Sequence, residues 1–326
     1  RLYSGTSGVG GELYMKEAAI RDAYGEALRE LGSKNPNVVV LEADVGNSTK
    51  SCLFGTAYPQ RYFNVGISEL DMMAEAAGWA SCGMIPFVNT FSTFVIGRAI
   101  DPVQAMIGYD RLNVKIAGAY SGLSDSYDGA SHQSINDLAL LRTIPNLTIF
   151  SPSDAWETQR LVEESVRING PVYLRLSRAA FPQIHTPETQ ILPGKAVVLQ
   201  DGEDVALMAT GAMVHEALAA AERLEQQGIS TAVIEFHTIK PLDEECILKY
   251  ARRTKAIITV EEHNIVGGLG SAVSEITAEK HPATVIRIGL CDYAESGDYR
   301  ELLKKYGIDQ DKIFRTVTEM RPLFSL

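Results

Sequence analysis

A polar loop at residues 120–133 contains two side chains that could perform chemistry. Its sequence, YSGLSDSYDGASHQ, follows an apolar run and places Asp128 four residues before His132. Loops of this length at strand ends often carry functional residues, and a carboxylate and an imidazole can orient hydroxyl groups and transfer protons. The loop therefore predicts part of a catalytic site, although a solvated turn explains the same residues equally well.

Glu69 and three phenylalanines are further candidates. Glu69 follows the segment FNVGIS and falls in the first turn of a predicted helix, where the helix dipole alone favours an acidic residue. Phe87, Phe91 and Phe94 fall where a predicted strand ends and a helix begins, which is where open α/β sheets bind ligands. On residue type alone, helix stabilisation by the glutamate and core packing of the rings are the more common roles.

The elements that must position these residues alternate between β and α along nearly the whole chain. This alternation predicts an α/β protein with two doubly wound domains and mostly parallel sheets. Unbroken runs of Val, Ile and Leu indicate buried strands at residues 38–45, 85–90, 113–120, 147–150, 172–177, 205–209, 231–236, 256–260 and 284–288. Helical periodicity predicts helices near residues 16–31, 68–82, 93–108, 134–143, 154–168, 212–227, 243–253 and 268–280.

Residues at several helix ends match capping patterns. Gly32 is predicted to follow the first helix, since glycine readily adopts the left-handed conformation found after helices. Ser68 with Asp71, and Asp154 with Glu157, resemble capping boxes at the starts of the helices that follow them.

The length of 326 residues corresponds to about two domains. A mixed polar stretch spaced by prolines precedes the second series of strands and indicates a linker between the domains. We therefore expect a first domain at residues 15–185, a linker at 186–203 and a second domain at 204–326. The glycine-rich residues 1–14 are predicted to be a flexible leader or tag.

Charge and cysteine usage exclude several classes of protein. With 41 acidic and 30 basic residues, the formal charge of −11 provides no field that attracts nucleic acid. The chain has neither an apolar run of about 18 residues nor a signal peptide, so we expect no membrane partner and a cytoplasmic location. Cys52, Cys82, Cys246 and Cys291 have no metal-ligand spacing; we expect reduced, mostly buried thiols and no metal site in this chain.

The segment VGGLGS opens a predicted helix in the second half of the chain. Its glycines, Gly267, Gly268 and Gly270, could cradle an anion, although close packing of the helix against a strand is the more common reason for such glycines. His263 precedes this segment and could approach a partner or the mouth of an active site, or be hydrogen-bonded within its own loop.

Four motifs taken together resemble the transketolase family. They are FNVGISELDMMAEAAG, TFSTF followed by RAID, DGASHQ, and VEEHNIVGGLGSAV in the second half. The resemblance covers about residues 16–320 and matches the carboxy-terminal half of a full-length transketolase. It implies the thiamine diphosphate-binding fold, with a pyrimidine-binding domain followed by the transketolase C-terminal domain.

The resemblance implies a thiamine diphosphate enzyme that transfers a two-carbon ketol unit from a ketose to an aldose. Glu69 matches the catalytic glutamate that hydrogen-bonds N1′ of the cofactor's aminopyrimidine and so activates the thiazolium carbon C2. Phe91 and Phe94 match the aromatic wall beside the pyrimidine, and Asp44 matches an acidic residue near the cofactor. His132 matches the catalytic histidine beside the carbonyl and hydroxyl of the donor.

Other residues match the family's substrate contacts. Asp128 matches a contact to a substrate hydroxyl, while three residues, Arg21, Ser48 and Arg178, match positions that bind the sugar phosphate. The substrate-binding position Tyr120 departs from the family, which usually has a second phosphate-contacting histidine there, and the common GEDG reads SYDG. These departures leave the terminal group of the substrate open between phosphate, another anion such as sulfonate, and no charge.

The family's GDG…N segment, which holds the diphosphate through a divalent cation, has no match in this sequence. We therefore expect a separate N-terminal transketolase subunit to supply the Mg²⁺ and diphosphate ligands, in an α2β2 assembly. Two alternatives stay open. The first is the β subunit of a 2-oxoacid dehydrogenase, against which DGASHQ and SRAAFP argue; the second is a non-catalytic assembly subunit, against which the joint presence of Glu69, Asp128 and His132 argues.

Overall fold

The computed structural model describes residues 17–320. The leader predicted at residues 1–14 lies outside the described residues, as does the beginning of the helix predicted near 16–31. Strands and helices alternate through both halves of the described chain, and most strand pairings are parallel. The predicted fold class is therefore confirmed.

The first half of the chain contains eight strands and the helices that cover them. The strands are β1 (Ala18–Ala19), β2 (Val38–Glu42), β3 (Tyr62–Asn64), β4 (Ile85–Phe91), β5 (Lys115–Ala119), β6 (Thr148–Phe150), β7 (Val172–Leu176) and β8 (Ala180–Phe181). The helices are α1 (Ile20–Lys34), α2 (Gly46–Thr49), α3 (Cys52–Ala57), α4 (Glu69–Ser81), α5 (Ser92–Arg98), α6 (Ile100–Pro102), α7 (Asp137–Arg142) and α8 (Ala155–Arg167).

The second half contains six strands and five helices within the described residues. The strands are β9 (Val197–Gln200), β10 (Val205–Ala209), β11 (Thr231–Glu235), β12 (Thr238–Lys240), β13 (Ala256–Asn264) and β14 (Val285–Leu290). The helices are α9 (Met213–Glu225), α10 (Glu244–Arg253), α11 (Leu269–Lys280), α12 (Tyr299–Lys305) and α13 (Gln310–Glu319).

Two main sheets organise these elements. The first has the order β12-β6-β7-β5-β4-β2-β3 and is parallel except where β12 meets β6. The second has the order β14-β13-β10-β11-β9 and is parallel except for β9. Strand β12 follows the second sheet's β11 in the chain but pairs with β6 at the edge of the first sheet. The second half of the chain therefore completes the first sheet.

The central strands form because most of their side chains are apolar on both faces. All five residues of β2, VVVLE, are buried, as are all those of β5, β7, β10 and β11. Parallel strands covered by helices on both sides typically have such nearly continuous apolar runs. Every strand predicted from the sequence is present, with differences only at the ends.

The helix predicted near residues 93–108 is divided. It becomes α5, α6 and a π-helical turn at Val103–Gly108. Pro102 lies close to the division. A proline interrupts a helix because it has no N–H to donate and because its ring clashes with the preceding turn. The backbone leaves helical geometry at Ala99, directly after Arg98.

The predicted caps are correct at one helix and wrong at two. Asp154 caps α8 by accepting a hydrogen bond from Glu157 N at 2.7 Å. Ser68 precedes α4, but its side chain makes no capping hydrogen bond within the described part of the chain. Helix α1 continues through Gly32, where a Cβ would lie 2.5 Å from a ring carbon of Tyr58. Glycine at that position permits close packing and does not end the helix.

The four cysteines are free, but the prediction that their thiols are mostly buried is wrong. Cys82 and Cys291 are exposed, and Cys52 and Cys246 are half-buried. They lie at the ends of helices and strands and not within the sheets, which leaves their thiols near the surface. Among residues 17–320, no helix combines the length and apolar character that crossing a bilayer requires.

Candidate active site

The candidate site lies at the carboxyl ends of three adjacent parallel strands. Phe91 ends β4, Tyr120 directly follows β5, and Asp44 follows β2. The carboxyl ends of parallel strands share one edge of the sheet, where open α/β proteins bind ligands. Asp44 and Tyr120 both adopt the left-handed conformation, with φ of 61° and 59°. Such backbone is uncommon for residues other than glycine and is concentrated at functional sites.

Four rings, those of Phe91, Phe94, Tyr120 and His132, form an aromatic cluster at this edge. Phe91 stacks on Tyr120 with 4.6 Å between the ring centroids and 13° between the planes. Phe94 meets His132 edge-on at 5.4 Å and lies 5.7 Å from Phe91. The structure thus brings four of the candidate residues together. Phe87 lies apart from them, fully buried in the core.

Glu69 is joined to the aromatic cluster by an arginine. Glu69 is the first residue of α4, and its side chain is 5% exposed. Arg98, at the end of α5, donates from Nη1 to Glu69 Oε1 at 2.7 Å, and its guanidinium carbon lies 3.8 Å from the ring centroid of Phe94. Sequence reasoning did not select Arg98 as a site residue. The available signal was its position four residues after Phe94 in TFSTFVIGR.

Two arginines flank the ring of Tyr120. The guanidinium carbon of Arg21 lies 5.6 Å from the ring centroid, and Arg21 Nη1 donates to the Tyr120 hydroxyl. The guanidinium carbon of Arg178 lies 5.1 Å from the same centroid. Arg21 Nε is buried and has no hydrogen-bond partner among the described residues. Two guanidinium groups and an unused donor at one place suit an anionic group.

Asp125 is a buried carboxylate that sequence reasoning missed. Arg178 Nη1 donates to Asp125 Oδ1 at 2.8 Å. Burial, followed by the negative charge of Asp128, raises the pKa of Asp125 to about 6, although Arg178 acts in the opposite direction. At neutral pH the ionised Asp125 therefore engages Arg178, whereas mild acid neutralises it. The signal in the sequence was a second aspartate three residues before Asp128.

We expect the affinity of the site for a sulfonate-terminated ligand to rise severalfold as the pH falls from about 7.5 to about 5.5. Protonation of Asp125 removes the carboxylate that competes for Arg178, whereas a sulfonate stays anionic over this range. Calorimetric Kd values at the two pH values measure the effect. Asp125→Asn should bind tightly at both. A wild-type affinity that is flat, or that falls as the pH falls, would contradict this role of Asp125.

The loop after β2 carries two more candidates and is held by the buried Glu42. Val45 N donates to Glu42 Oε1 at 2.7 Å, and Val45 packs against the aromatic cluster. Asp44, next to Val45, is exposed and accepts a hydrogen bond from Asn64 Nδ2 at 3.0 Å. Ser48 lies in α2, and no hydrogen bond among the described residues joins it to the aromatic cluster.

Asp128 and His132 do not form the pair that their spacing allows. His132 Nδ1 lies 2.9 Å from Ser131 Oγ, and Asp128 lies beside Asp125. Asp128 is exposed and His132 is half-buried. Each side chain is therefore free to meet a ligand independently.

The glycine-rich segment that opens α11 serves packing, as the more common interpretation predicts. A Cβ at Gly268 would lie 1.9 Å from Glu261 Oε2. Leu269 N and Gly270 N donate to the Glu261 carboxyl group at 2.7 and 2.9 Å. Both amides are therefore used within the fold and are not available to an external anion. His263 is fully buried on β13 and hydrogen-bonds a backbone carbonyl. It therefore does not line the mouth of the candidate active site.

The residues present fit the pyrimidine end of thiamine diphosphate. An aminopyrimidine needs an apolar wall against its ring and a carboxyl group at its ring nitrogen. Phe91 and Phe94 supply aromatic faces, and Glu69 supplies a carboxyl group nearly shielded from water at the same edge of the sheet. Shielding strengthens a hydrogen bond to that carboxyl group, because water competes little for it.

Two family models match the chain over most of its length. "Transketolase, pyrimidine binding domain" matches residues 16–183, and "Transketolase, C-terminal domain" matches residues 194–313. The first covers the aromatic cluster, Glu69 and both flanking arginines.

Several known proteins are similar to this chain. A transketolase C-terminal section of Methanocaldococcus jannaschii is 41% identical across 92% of this chain and 95% of that protein. A 6-deoxy-6-sulfo-D-fructose transketolase subunit of a Clostridium species is 36% identical across 95% of this chain and 96% of that protein. The transketolase of Rattus norvegicus is 38% identical across 92% of this chain, which spans only 48% of that protein. A solved split gene transketolase, an inactive beta4 tetramer, superposes with a TM-score of 0.86 at 42% identity, across 95% of this chain and 100% of that one.

Proposed function

Because this chain belongs to the transketolase family, we propose that it is the C-terminal subunit of a split, thiamine diphosphate-dependent transketolase. Its reaction would be the family's, the transfer of a two-carbon ketol unit from a ketose to an aldose. The observation that carries the proposal is the shielded Glu69 carboxylate beside the aromatic cluster at the carboxyl edge of the first sheet. A cytoplasmic location, as expected from the sequence, is part of the proposal.

Glu69 would hydrogen-bond the pyrimidine nitrogen of the cofactor and would donate and accept a proton there. When bound, thiamine diphosphate supplies the nucleophilic carbon that this chain's own residues lack. Arg98 holds Glu69 Oε1 and is 47% exposed, so its side chain can turn toward solvent and release that oxygen. Phe91 and Phe94 would fix the plane of the pyrimidine, and Asp44 would approach the cofactor from the loop whose Val45 packs against the aromatic cluster.

The remaining site residues would bind the donor. Arg21, Tyr120 and Arg178 would hold an anionic terminus of the sugar, either phosphate or sulfonate. The Clostridium relative that is named for a sulfo-sugar supports the inclusion of sulfonate. Asp128 and His132 both reach solvent and would orient hydroxyl groups and move protons at the reacting carbons. Ser48, in α2, would add a hydroxyl contact to the anion.

A second chain would complete the site. We propose an N-terminal transketolase subunit that binds the diphosphate through Mg²⁺, with α2β2 stoichiometry. The solved split gene relative, whose tetramer of β chains is named inactive, supports this dependence on a partner. On the described surface, Ile67 and Leu70 are 74% and 55% exposed on either side of Glu69. Apolar side chains of this size next to a site suit a protein interface.

Reconstitution tests the proposal directly. This chain is co-expressed with an N-terminal transketolase section from the same source, and ketol transfer is assayed with thiamine diphosphate and Mg²⁺ for each chain alone and for both. We expect activity only in the mixture. If this chain alone were as active as the mixture of both chains, the split-enzyme assignment would be overturned. Decarboxylation of a 2-oxoacid would favour a dehydrogenase β subunit, and a stable complex without any turnover would favour an assembly subunit.

Leu70→Glu should weaken assembly with the partner at least tenfold, because it places a charge in a proposed apolar interface. An acidic residue in the first turn of α4 is favoured by the helix dipole, so the fold should be preserved. The dissociation constant is measured by analytical ultracentrifugation. Leu192→Glu is the matched control, because Leu192 is 52% exposed but does not flank Glu69. Equal weakening by both variants would remove Leu70 from the interface.

A further inference from the structure

Three buried ligating side chains meet away from the candidate active site. Glu157 lies in the first turn of α8, His185 follows β8, and Glu235 ends β11; each is at most 1% exposed. One ligand atom from each lies within 4.8 Å of the other two. His185 Nε2 is 2.7 Å from Glu235 Oε2 and 3.7 Å from Glu157 Oε1. We call these three residues the Glu-His-Glu cluster.

The Glu-His-Glu cluster has more acceptor atoms than donors to satisfy them. Glu157 Oε1 and both carboxylate oxygens of Glu235 are buried without a hydrogen-bond partner among the described residues. Glu235 Oε2 makes an ion-pair contact with His185 Nε2 at 2.7 Å, although the two groups are not aligned as a hydrogen bond. Leaving buried carboxylate oxygens unsatisfied is costly, and a cation is the usual means of satisfying several at once.

A proton alone compensates these groups incompletely. One shared proton can join only two oxygens. Even with a proton on His185 Nε2 directed at Glu235 Oε2, the buried Nε2 of His237, two residues after Glu235, would stay unpartnered.

We propose that the Glu-His-Glu cluster binds one divalent first-row transition ion, for which Zn²⁺ is the best match. An imidazole nitrogen with two carboxylates favours such an ion over Mg²⁺ or Ca²⁺, which prefer oxygen ligands alone. Ligand atoms about 2.1 Å from a tetrahedral Zn²⁺ lie about 3.4 Å from one another. The observed separations of 2.7 and 3.7 Å lie on either side of that value, so small side-chain shifts suffice.

The surroundings orient the proposed ligands. Ser153 donates from N at 2.8 Å and from Oγ at 3.1 Å to Glu157 Oε2, which leaves Glu157 Oε1 to face His185. Such contacts around a metal site fix the ligand geometry. A groove of about 660 Å³ lies beside the cluster, and its lining includes Ile184 and His215. Ile184 is the neighbour of His185 in the chain.

The proposed ion would connect three parts of the chain. Glu157 belongs to a helix of the first sheet, Glu235 to a strand of the second sheet, and His185 to the segment between the sheets. Binding would therefore stabilise the two halves against each other, and it involves none of the candidate active-site residues.

Metal analysis of the full-length chain tests the proposal. The purified protein is dialysed against chelator-free buffer with Zn²⁺ and then against metal-free buffer, and its metal content is measured by inductively coupled plasma mass spectrometry. We expect about one Zn²⁺ per chain for the wild type. Removal by a strong chelator should lower Tm by roughly 5–10 °C. Replacement by Co²⁺ should give visible d–d absorption, which reports ligation and not nonspecific adsorption.

Two variants and a control separate a metal site from a shared-proton cluster. Glu157→Gln has the shape of a protonated glutamate, so a shared-proton cluster would tolerate it, whereas a metal site should lose at least tenfold in Zn²⁺ affinity. His185→Asn should lose binding as well. His281→Asn, outside the cluster at the end of α11, should keep one equivalent. Wild-type protein without bound Zn²⁺, or Glu157→Gln with full occupancy, would overturn the proposal, and the wild-type result decides even if a variant fails to fold.

Discussion

Replacing Glu69 with glutamine is expected to slow ketol transfer by the reconstituted enzyme roughly 10²–10⁴-fold, the range for losing a positioned acid or base. Glutamine keeps the size of the side chain but cannot take up or release a proton. Because the Glu69 side chain is only 5% exposed, water cannot easily replace it. The effect is measured as kcat with both subunits present, and exchange of the cofactor's C2 proton, followed by NMR, should slow in parallel.

Asp71→Asn is the matched control for Glu69→Gln. Asp71 lies in the same first turn of α4 but is exposed, so its removal should leave kcat nearly unchanged. Circular dichroism and sedimentation of both variants establish that folding and assembly are intact. Normal C2 proton exchange in a correctly assembled Glu69→Gln enzyme would remove Glu69 from the mechanism.

Asp137→Asn is expected to lower the free energy of unfolding by about 3–5 kcal/mol, because it breaks a buried ion pair and leaves Arg175 without its ion-pair partner. Arg175 Nε donates to Asp137 Oδ2 at 2.8 Å, and the two side chains are 4% and 0% exposed. The Tyr173 hydroxyl donates to the same oxygen at 2.8 Å. Arg175 also donates from Nη2 to the backbone oxygen of Glu262 on β13, at 2.9 Å, so the loss would loosen the contact between the two halves.

Urea unfolding of the purified chain measures this loss of stability. The surface pair of Arg167 and Glu164 is the comparison, with side chains 73% and 22% exposed. Exposed pairs contribute at most about 1 kcal/mol, so Glu164→Ala should change the free energy of unfolding little. Equal losses for Asp137→Asn and Glu164→Ala would show that the buried pair has no special role.

Sequence reasoning succeeded where the signal was local. The apolar runs at 38–45 and 205–209 became central strands, and the capping pattern at Asp154 formed as predicted. Sequence reasoning failed where a residue distant in the chain overrides a local conformational preference. Gly32 has the residue type of a helix end, but the approach of Tyr58 from α3 explains its presence inside α1.

Short elements and edge strands were also missed. Strand β12 has three residues, too few for a periodic signal, and its partner β6 lies in the other half of the chain. Helices α12 and α13 follow the last predicted strand and were not predicted at all, although Asp298 and Asp309 cap them with their side chains. Capping aspartates before short amphipathic runs were the signal available there.

The sequence by itself determined the alternation of strands and helices, the family, and the residue types at the carboxyl edge of the first sheet, because periodicity and motif spacing are local properties. Only the tertiary structure decided which side chains meet. Arg98 reaches Glu69 across 29 residues of chain, and Arg178 reaches Asp125 across 53. The Glu-His-Glu cluster draws on three separate elements. Such meetings depend on strand order and on the crossing of β12 to the first sheet, which no local pattern encodes.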